Sequence, residues 1–228
     1  PKIFKMVHEA FGGRLRMILV GAALVDERIF RDFEKFGFAI YTGYGLTETA
    51  PLCVLHNDFD RKADTIGLPL NGDKCKIVNP NADGIGELAV KGPNVMLGYY
   101  NDEKATREAF DEEGYFLTGD LVCIDPESGH YKIVGRIKNM IVTANGKKIF
   151  PEELEYHLST NPLVGESLVL EDKNKKGEVV VGARIFPNFE EIKERFGKDE
   201  DEITDTELNE IMDDVVKGVN AKLASYQK

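Results

Sequence analysis

Hydrophobic and polar positions alternate along residues 1–65 in a way that predicts a strand, a helix and a second strand. The segment RLRMILVG (14–21) is typical of a short buried strand that ends in glycine. In residues 25–37, apolar side chains recur at helical spacing, and Gly37 is placed to end the helix. FAIYT (38–42) has the pattern of another strand. A strand–helix–strand unit is typical of a parallel sheet, in which ligands bind at the carboxyl ends of the strands.

The pattern changes at about residue 66 and again near residues 136–139. Between these points, short strands alternate with turns rich in Gly, Pro, Asn and Asp, which predicts a small β-barrel or a sheet-rich subdomain. One short helix is expected at 102–110. The later residues have an α+β pattern that ends in a long helix at 204–226, which a capping box begins. The predicted parts are the end of a large α/β domain (1–65), a β-rich subdomain (66–137) and a small C-terminal α+β domain (138–228).

The composition is that of a soluble globular protein, with 42% apolar and 30% charged residues among 228. No apolar run approaches the roughly 20 residues of a membrane span. The net charge of −11 argues against a nucleic-acid binder. Residues 190–214 carry twelve acidic and three basic side chains, which is typical of a solvated helical face. The three cysteines are scattered without a CxxC pair, which suggests reduced thiols and a cytoplasmic location, and the four histidines lack metal-ligand spacing.

The stretch YTGYGLTETAP (41–51) follows the second predicted strand and carries several groups suited to a nucleotide. Its two glycines permit backbone geometry that other residues resist. Tyr44 offers a flat ring, Thr47 a hydroxyl for a phosphate, and Glu48 an oxygen ligand suited to Mg²⁺. An ordinary glycine-flanked turn with a capping threonine is the simpler interpretation of this stretch when it is considered alone.

Four further positions have chemistry suited to a nucleotide site or to a domain junction. Asp120, in YFLTGD, is placed to accept hydrogen bonds from a ribose diol, although an aspartate in a turn is the simpler interpretation. Arg136 lies between two hydrophobic strands at the predicted domain junction, where it can bind a diol, a phosphate or a carboxylate. Lys138 follows on a short linker and is a candidate hinge residue. Lys147 is either a phosphate ligand or solvated charge.

The order and spacing of these motifs resemble those of a known superfamily. YGLTET, GELAVKGPNVMLGYYND, GYFLTGD and GRIKNMIVTANGKKIFPEELE are similar to consecutive motifs of the adenylate-forming enzymes, over residues 14–155 with a continuation to 228. The last of these motifs most resembles the branch of AMP-forming long-chain fatty acid–CoA ligases. The resemblance implies that a fatty acid and ATP give an acyl-adenylate, and that coenzyme A then takes the acyl group. It also implies that a small C-terminal domain rotates between the two steps.

The resemblance assigns a role to each candidate residue. Tyr44 would pack on the adenine, Thr47 would contact the α-phosphate, and Glu48 would hold Mg²⁺. Asp120 would bind the ribose hydroxyls with the help of Arg136. Lys138 occupies the hinge position. The other residues assigned to the nucleotide, the acyl pocket or coenzyme A are Gly21, Ala22, Ala23, Tyr41, Gly43, Gly45, Gly146 and Lys147.

Two elements of the family are expected outside this sequence. The Ser/Thr/Gly-rich loop for the β- and γ-phosphates would precede residue 1, and the catalytic lysine would follow residue 228. The chain is therefore interpreted as a C-terminal fragment that does not adenylate fatty acids alone. Two alternatives stay open: an adenylate-forming ligase for an aryl acid, an amino acid or a carrier protein, and a non-catalytic nucleotide-binding module.

Overall fold

The computed structural model describes residues 2–22, 25–143, 146–174 and 177–223. The chain divides into two compact units, Pro1–Val134 and Gly135–Lys228. Each unit has hydrophobic core residues of its own. Among the helices in the described ranges, none is both long and apolar enough to cross a membrane.

The first unit opens with the predicted parallel pair. Its first elements are α1 (Lys2–Ala10), β1 (Met17–Val20), α2 (Glu27–Lys35) and β2 (Ala39–Tyr44). Strands β1 and β2 are parallel, so their carboxyl ends meet at one edge of the sheet. The side chain of Asp26 caps α2 by accepting hydrogen bonds from the N–H groups of Arg28 and Ile29. Phe30 of α2 packs with Ile40 of β2 in a small buried cluster. The strand–helix–strand prediction is confirmed.

Two short strands extend this first sheet. They are β3 (Val54–Leu55) and β4 (Leu68–Pro69), and the sheet order is β1-β2-β3-β4. Both additions are antiparallel, because the chain turns back after β2 instead of crossing over a helix. The turn-back brings residues 53 and 54 against the end of β2, where the candidate site begins.

The second sheet of the first unit corrects one prediction. It contains β5 (Lys74–Val78), β6 (Gly86–Lys91), β7 (Phe116–Ile124) and β8 (Tyr131–Arg136), with helix α3 (Glu103–Glu108) between β6 and β7. Within the described ranges these strands form an open sheet in the order β5-β6-β7-β8, so of the two predicted alternatives the β-barrel is wrong and a sheet-rich arrangement is found. A barrel needs its first and last strands to pair, whereas β5 and β8 are the two edges of this sheet.

The second unit is a β-hairpin packed with helices. After the small pair β9 (Ile141–Val142) and β10 (Lys148–Ile149) come α4 (Pro151–Ser159), β11 (Val164–Lys173), β12 (Val179–Pro187), α5 (Phe189–Phe196) and α6 (Asp205–Lys222). Strands β11 and β12 are antiparallel. Thr204 and Glu207 form the predicted capping box of α6. Val215 and Val219 of α6 are buried in the core beside the fully buried Ile192 of α5.

Candidate active site

The loop after β2 is shaped by close backbone contacts and one buried hydroxyl. A Cβ atom on Gly45 would lie 1.6 Å from the carbonyl oxygen of Pro51, so only glycine fits there. The fully buried Thr49 accepts a hydrogen bond from the N–H of Leu46 at 2.8 Å. Its Oγ1 also lies 3.0 Å from the carbonyl oxygens of Leu46 and Pro51. The short 3₁₀ turn at Thr47–Thr49 is therefore fixed from inside, by a threonine that the sequence motifs did not single out.

Tyr44 and Asp120 meet in the core beneath this loop. They are separated by 76 positions in sequence, yet the Tyr44 hydroxyl donates to Oδ2 of Asp120 at 2.6 Å. Both residues are buried, with 7% of Tyr44 and 3% of Asp120 exposed. Burial raises the pKa of the Tyr44 hydroxyl, and the Asp120 carboxylate beside it raises that pKa further. Tyr44 therefore stays protonated and orients the carboxylate.

The backbone around Asp120 is held by neighbouring strand residues. Gly119 has a φ of +74°, a conformation that favours glycine, and its N–H donates to Oε1 of Glu87 at 2.9 Å. The N–H of Asp120 donates to Oγ1 of Thr118 at 3.1 Å. The Thr118 hydroxyl in turn donates to the carbonyl oxygen of Leu88 at 2.8 Å. These contacts hold the backbone of residues 118–120, so the Asp120 carboxylate has a fixed position.

Glu48 and Thr47 lie on the outer side of the loop. Thr47 is exposed, and Glu48 is half-buried. One carboxylate oxygen of Glu48, Oε1, accepts a hydrogen bond from the Tyr99 hydroxyl at 3.0 Å. The carbonyl oxygen of Glu48 accepts from the N–H of Met96 at 2.8 Å. Sequence reasoning missed Tyr99, because nothing in the spacing of the two motifs shows that they touch.

The donor set around Glu48 is suited to Mg²⁺ bound together with a nucleotide. Among the described residues, no cluster of three or more His, Cys, Asp or Glu side chains could hold a metal ion alone. Magnesium usually takes one or two carboxylates together with substrate phosphates. Glu48 supplies one such carboxylate beside the exposed hydroxyl of Thr47.

The small residues at the strand ends lie close to one another. The backbone of Gly21 follows β1, and a Cβ atom on it would lie 3.7 Å from the carbonyl oxygen of Gly43. A Cβ atom on Gly43 would lie 2.7 Å from Cδ1 of Leu52, so this position is tightly packed. Ala22 has a φ of +63°. Ala23 lies outside the described residues.

Tyr41 belongs to a different set of contacts. Its hydroxyl donates to Oδ1 of Asp58, and the guanidinium of Arg61 lies 5.2 Å from the centre of its ring. Arg61 also pairs with Glu34 at 3.0 Å. These contacts tie the 58–61 loop to β2 and α2 and give Tyr41 a structural role, so its assignment to nucleotide binding stays a prediction.

Four predicted residues belong to the second unit or to the strand that leads into it. Arg136 ends β8 and is exposed, and Lys138 lies in the exposed 3₁₀ turn Ile137–Asn139. Gly146 has a φ of +72°, and Lys147 is exposed with its N–H donating to Oγ1 of Thr143 at 3.2 Å. Their assignments to ribose binding, a hinge and coenzyme A stay predictions.

Comparison with known proteins gives the family. A family model described as AMP-binding enzyme matches residues 1–100. The chain is also 35% identical, over 226 residues, to the long-chain-fatty-acid–CoA ligase FadD15 of Mycobacterium bovis, an alignment that covers 96% of this chain and 36% of FadD15. The chain belongs to the AMP-binding enzyme family. The resemblance to the adenylate-forming enzymes is thereby confirmed.

Further matches to this AMP-binding chain include a ligase named for a different acid and a solved structure with bound ATP. It is 37% identical over 191 residues to the probable 4-coumarate–CoA ligase 2 of Dictyostelium discoideum, covering 79% of this chain and 34% of that protein. Its fold matches the crystal structure of ATP-bound MatB from Rhodopseudomonas palustris, with a TM-score of 0.73 and 29% identity over 94% of this chain and 40% of MatB. The chain spans about a third of the length of the curated relatives that it matches.

Proposed function

We propose that the full-length protein activates a long-chain fatty acid with ATP and transfers the acyl group to coenzyme A. The observation that carries this proposal is the Tyr44–Asp120 hydrogen bond of 2.6 Å. It joins two of the motifs that resemble the family at the carboxyl end of β2, where ligands of such sheets bind. Glu48 follows four residues after Tyr44 in the same loop.

The residues in and beneath the loop after β2 have different roles in binding the nucleotide. Tyr44 supplies an aromatic contact for the adenine, and Asp120 accepts hydrogen bonds from the ribose hydroxyls. The exposed Thr47 hydroxyl donates to the α-phosphate. Glu48 would hold Mg²⁺ together with phosphates of ATP, and the ion would supply positive charge to the reacting phosphates.

The reaction then takes place in two steps. A carboxylate oxygen of the fatty acid attacks the α-phosphorus, and the bond to pyrophosphate breaks. The thiol of coenzyme A loses its proton and attacks the acyl carbon, and AMP leaves. In this proposal Lys138 is the hinge between the two steps, and Gly146 and Lys147 contact coenzyme A.

Relatives support the choice of acid, although they name more than one. FadD15 and the mouse long-chain-fatty-acid–CoA ligase 6, at 35% and 32% identity, both align with more than nine-tenths of this chain. The 4-coumarate–CoA ligase of Dictyostelium covers less of the chain but is 37% identical. A fatty acid is therefore the first candidate, and an aryl acid is the second.

Substrate preference is tested on the full-length protein by ATP–pyrophosphate exchange. Palmitate and 4-coumarate are compared at equal concentrations, followed by product formation with coenzyme A. We expect palmitate to support the faster exchange. A preference for 4-coumarate would contradict only the assignment of a fatty acid as the substrate. No exchange with any carboxylic acid would contradict adenylate formation itself.

The role of Asp120 is tested by Asp120→Ala and the milder Asp120→Asn. Hydrogen bonds to a charged group contribute about 1.5–3 kcal/mol, so we expect the KM for ATP to rise about 10- to 100-fold. The matched control is Asp83→Ala, which removes an exposed carboxylate from the turn between β5 and β6. Wild-type dependence on ATP in a folded Asp120→Asn protein would remove Asp120 from the site.

A further inference from the structure

Tyr99 contacts the candidate metal ligand from the motif GELAVKGPNVMLGYYND (86–102), to which no contact with the nucleotide is assigned. Its hydroxyl donates to Oε1 of Glu48 at 3.0 Å. Three residues earlier, the N–H of Met96 donates to the carbonyl oxygen of Glu48 at 2.8 Å. The segment 96–99 therefore holds Glu48 both at its backbone and at its carboxylate, and it has no other assigned role.

The backbone of Tyr99 is itself anchored to the start of helix α3. Its N–H donates to Oγ1 of Thr106 at 2.9 Å, and the Thr106 hydroxyl donates to the carbonyl oxygen of Asp102 at 2.8 Å. Asp102 caps the helix by accepting from the N–H of Ala105 at 2.9 Å. The phenol is therefore presented to Glu48 from a fixed point of the chain.

The Tyr99 hydroxyl is the donor in this contact, because a carboxylate can only accept a hydrogen bond. The neighbouring Tyr100 is fully exposed, whereas Tyr99 is 40% exposed, so only one of the two adjacent tyrosines is partly buried.

We propose that Tyr99 is a positioning residue that orients Glu48 for the divalent cation of the nucleotide. Its hydroxyl fixes Oε1, so that the Glu48 carboxylate is held in one orientation. Partners of this kind, which hold a metal ligand without touching the metal, typically change metal affinity or activity 10- to 100-fold when they are removed. This inference depends on the proposed function, because it takes Glu48 to be the metal ligand.

The test compares Tyr99→Phe with Tyr100→Phe in the full-length protein. Each variant deletes one hydroxyl and keeps the ring. Calorimetry measures the affinity for ATP with and without Mg²⁺, and exchange assays measure the Mg²⁺ concentration for half-maximal rate. Mg²⁺ should increase the affinity for ATP about tenfold less in Tyr99→Phe than in wild type. The Mg²⁺ concentration that gives half-maximal exchange should be about tenfold higher in Tyr99→Phe. The affinity for ATP without Mg²⁺ should stay unchanged, and Tyr100→Phe should behave as wild type.

The outcomes separate this inference from the proposed function. Unchanged Mg²⁺ dependence in Tyr99→Phe, while Glu48→Gln loses it, would overturn the positioning role and leave adenylation intact. An equal loss of ATP affinity with and without Mg²⁺ would show that Tyr99 only packs the loop, and would also overturn the role. Wild-type Mg²⁺ dependence in Glu48→Gln would refute both the metal ligand and its positioning residue.

Discussion

His56 is buried as a neutral imidazole, and we expect acidification to destabilise the first unit through this residue. Only 2% of His56 is exposed. Its Nδ1 accepts from the N–H of Thr42 at 3.1 Å, so the ring proton lies on Nε2, which donates to Oγ1 of Thr65 at 2.9 Å. A second proton on Nδ1 would break the contact with Thr42 and place a charge in the core.

The surroundings of His56 set the size of the effect. Burial, and then the neighbouring His130 and Arg61, lower the pKa of His56 to about 4, although Asp60 acts in the opposite direction. The Phe30 ring, packed edge-on against His56, offers no compensating charge. The ordinary pKa of histidine in an unfolded chain is about 6.5, and one unit of difference corresponds to about 1.4 kcal/mol. The neutral His56 therefore contributes about 3 kcal/mol.

Acid destabilises the fold because the pKa of His56 is lower in the folded state than in the unfolded state. The contribution is fully present above pH 6.5, because both states are then neutral, and it is lost as pH falls towards 4. The depressed pKa of Asp125, which Ser128 and Lys62 cause, affects stability only at lower pH. A loss of about 3 kcal/mol is a large part of the roughly 5–15 kcal/mol that stabilises a typical domain.

Urea unfolding between pH 7.5 and 4, followed by circular dichroism, measures this loss. His56→Asn is the informative variant, since its amide oxygen can still accept from the N–H of Thr42 but the side chain does not titrate. We expect His56→Asn to lose about 3 kcal/mol less than wild type between pH 6.5 and 4. His157→Asn, in helix α4, is the control and should follow wild type. Equal losses in wild type and His56→Asn would refute the reasoning.

Two glycine substitutions should change stability in opposite directions. Gly45→Ala is expected to destabilise the protein by about 3 kcal/mol or more, because the carbonyl of Pro51 must move away from the new methyl group. Gly218→Ala is expected to stabilise it by about 0.5–1 kcal/mol, because Gly218 lies inside helix α6 and, apart from the backbone of its own helix and its chain neighbours, no described residue comes within 4 Å of an added Cβ. Urea titration measures both changes, and a stable Gly45→Ala or a destabilised Gly218→Ala would contradict the local geometry.

Local patterns in the sequence predicted the elements well and their assembly less well. The helical spacing in 25–37 corresponds to α2, and the capping box at Thr204 marks the start of α6. The alternating pattern after residue 66 predicted strands correctly, but it did not show that β5 and β8 stay apart at the two edges of an open sheet. Alternation reports which face of a strand is buried, whereas closure depends on tilt and stagger between strands.

In the candidate site, too, the sequence predicted which residue types are suited to a ligand but not which residues contact one another. Tyr44, Glu48 and Asp120 could be selected from sequence because their side chains suit a nucleotide and a cation. Thr49 and Tyr99 could not be selected, because their importance comes from the contacts that they make. Thr49 bonds the backbone of its own turn, and Tyr99 bonds a carboxylate 51 positions away in sequence. Only the return of the chain after β6 brings Tyr99 to Glu48. If positioning by such partners determines how well Glu48 holds a cation, then relatives with the same motif can differ in Mg²⁺ affinity through residues outside it.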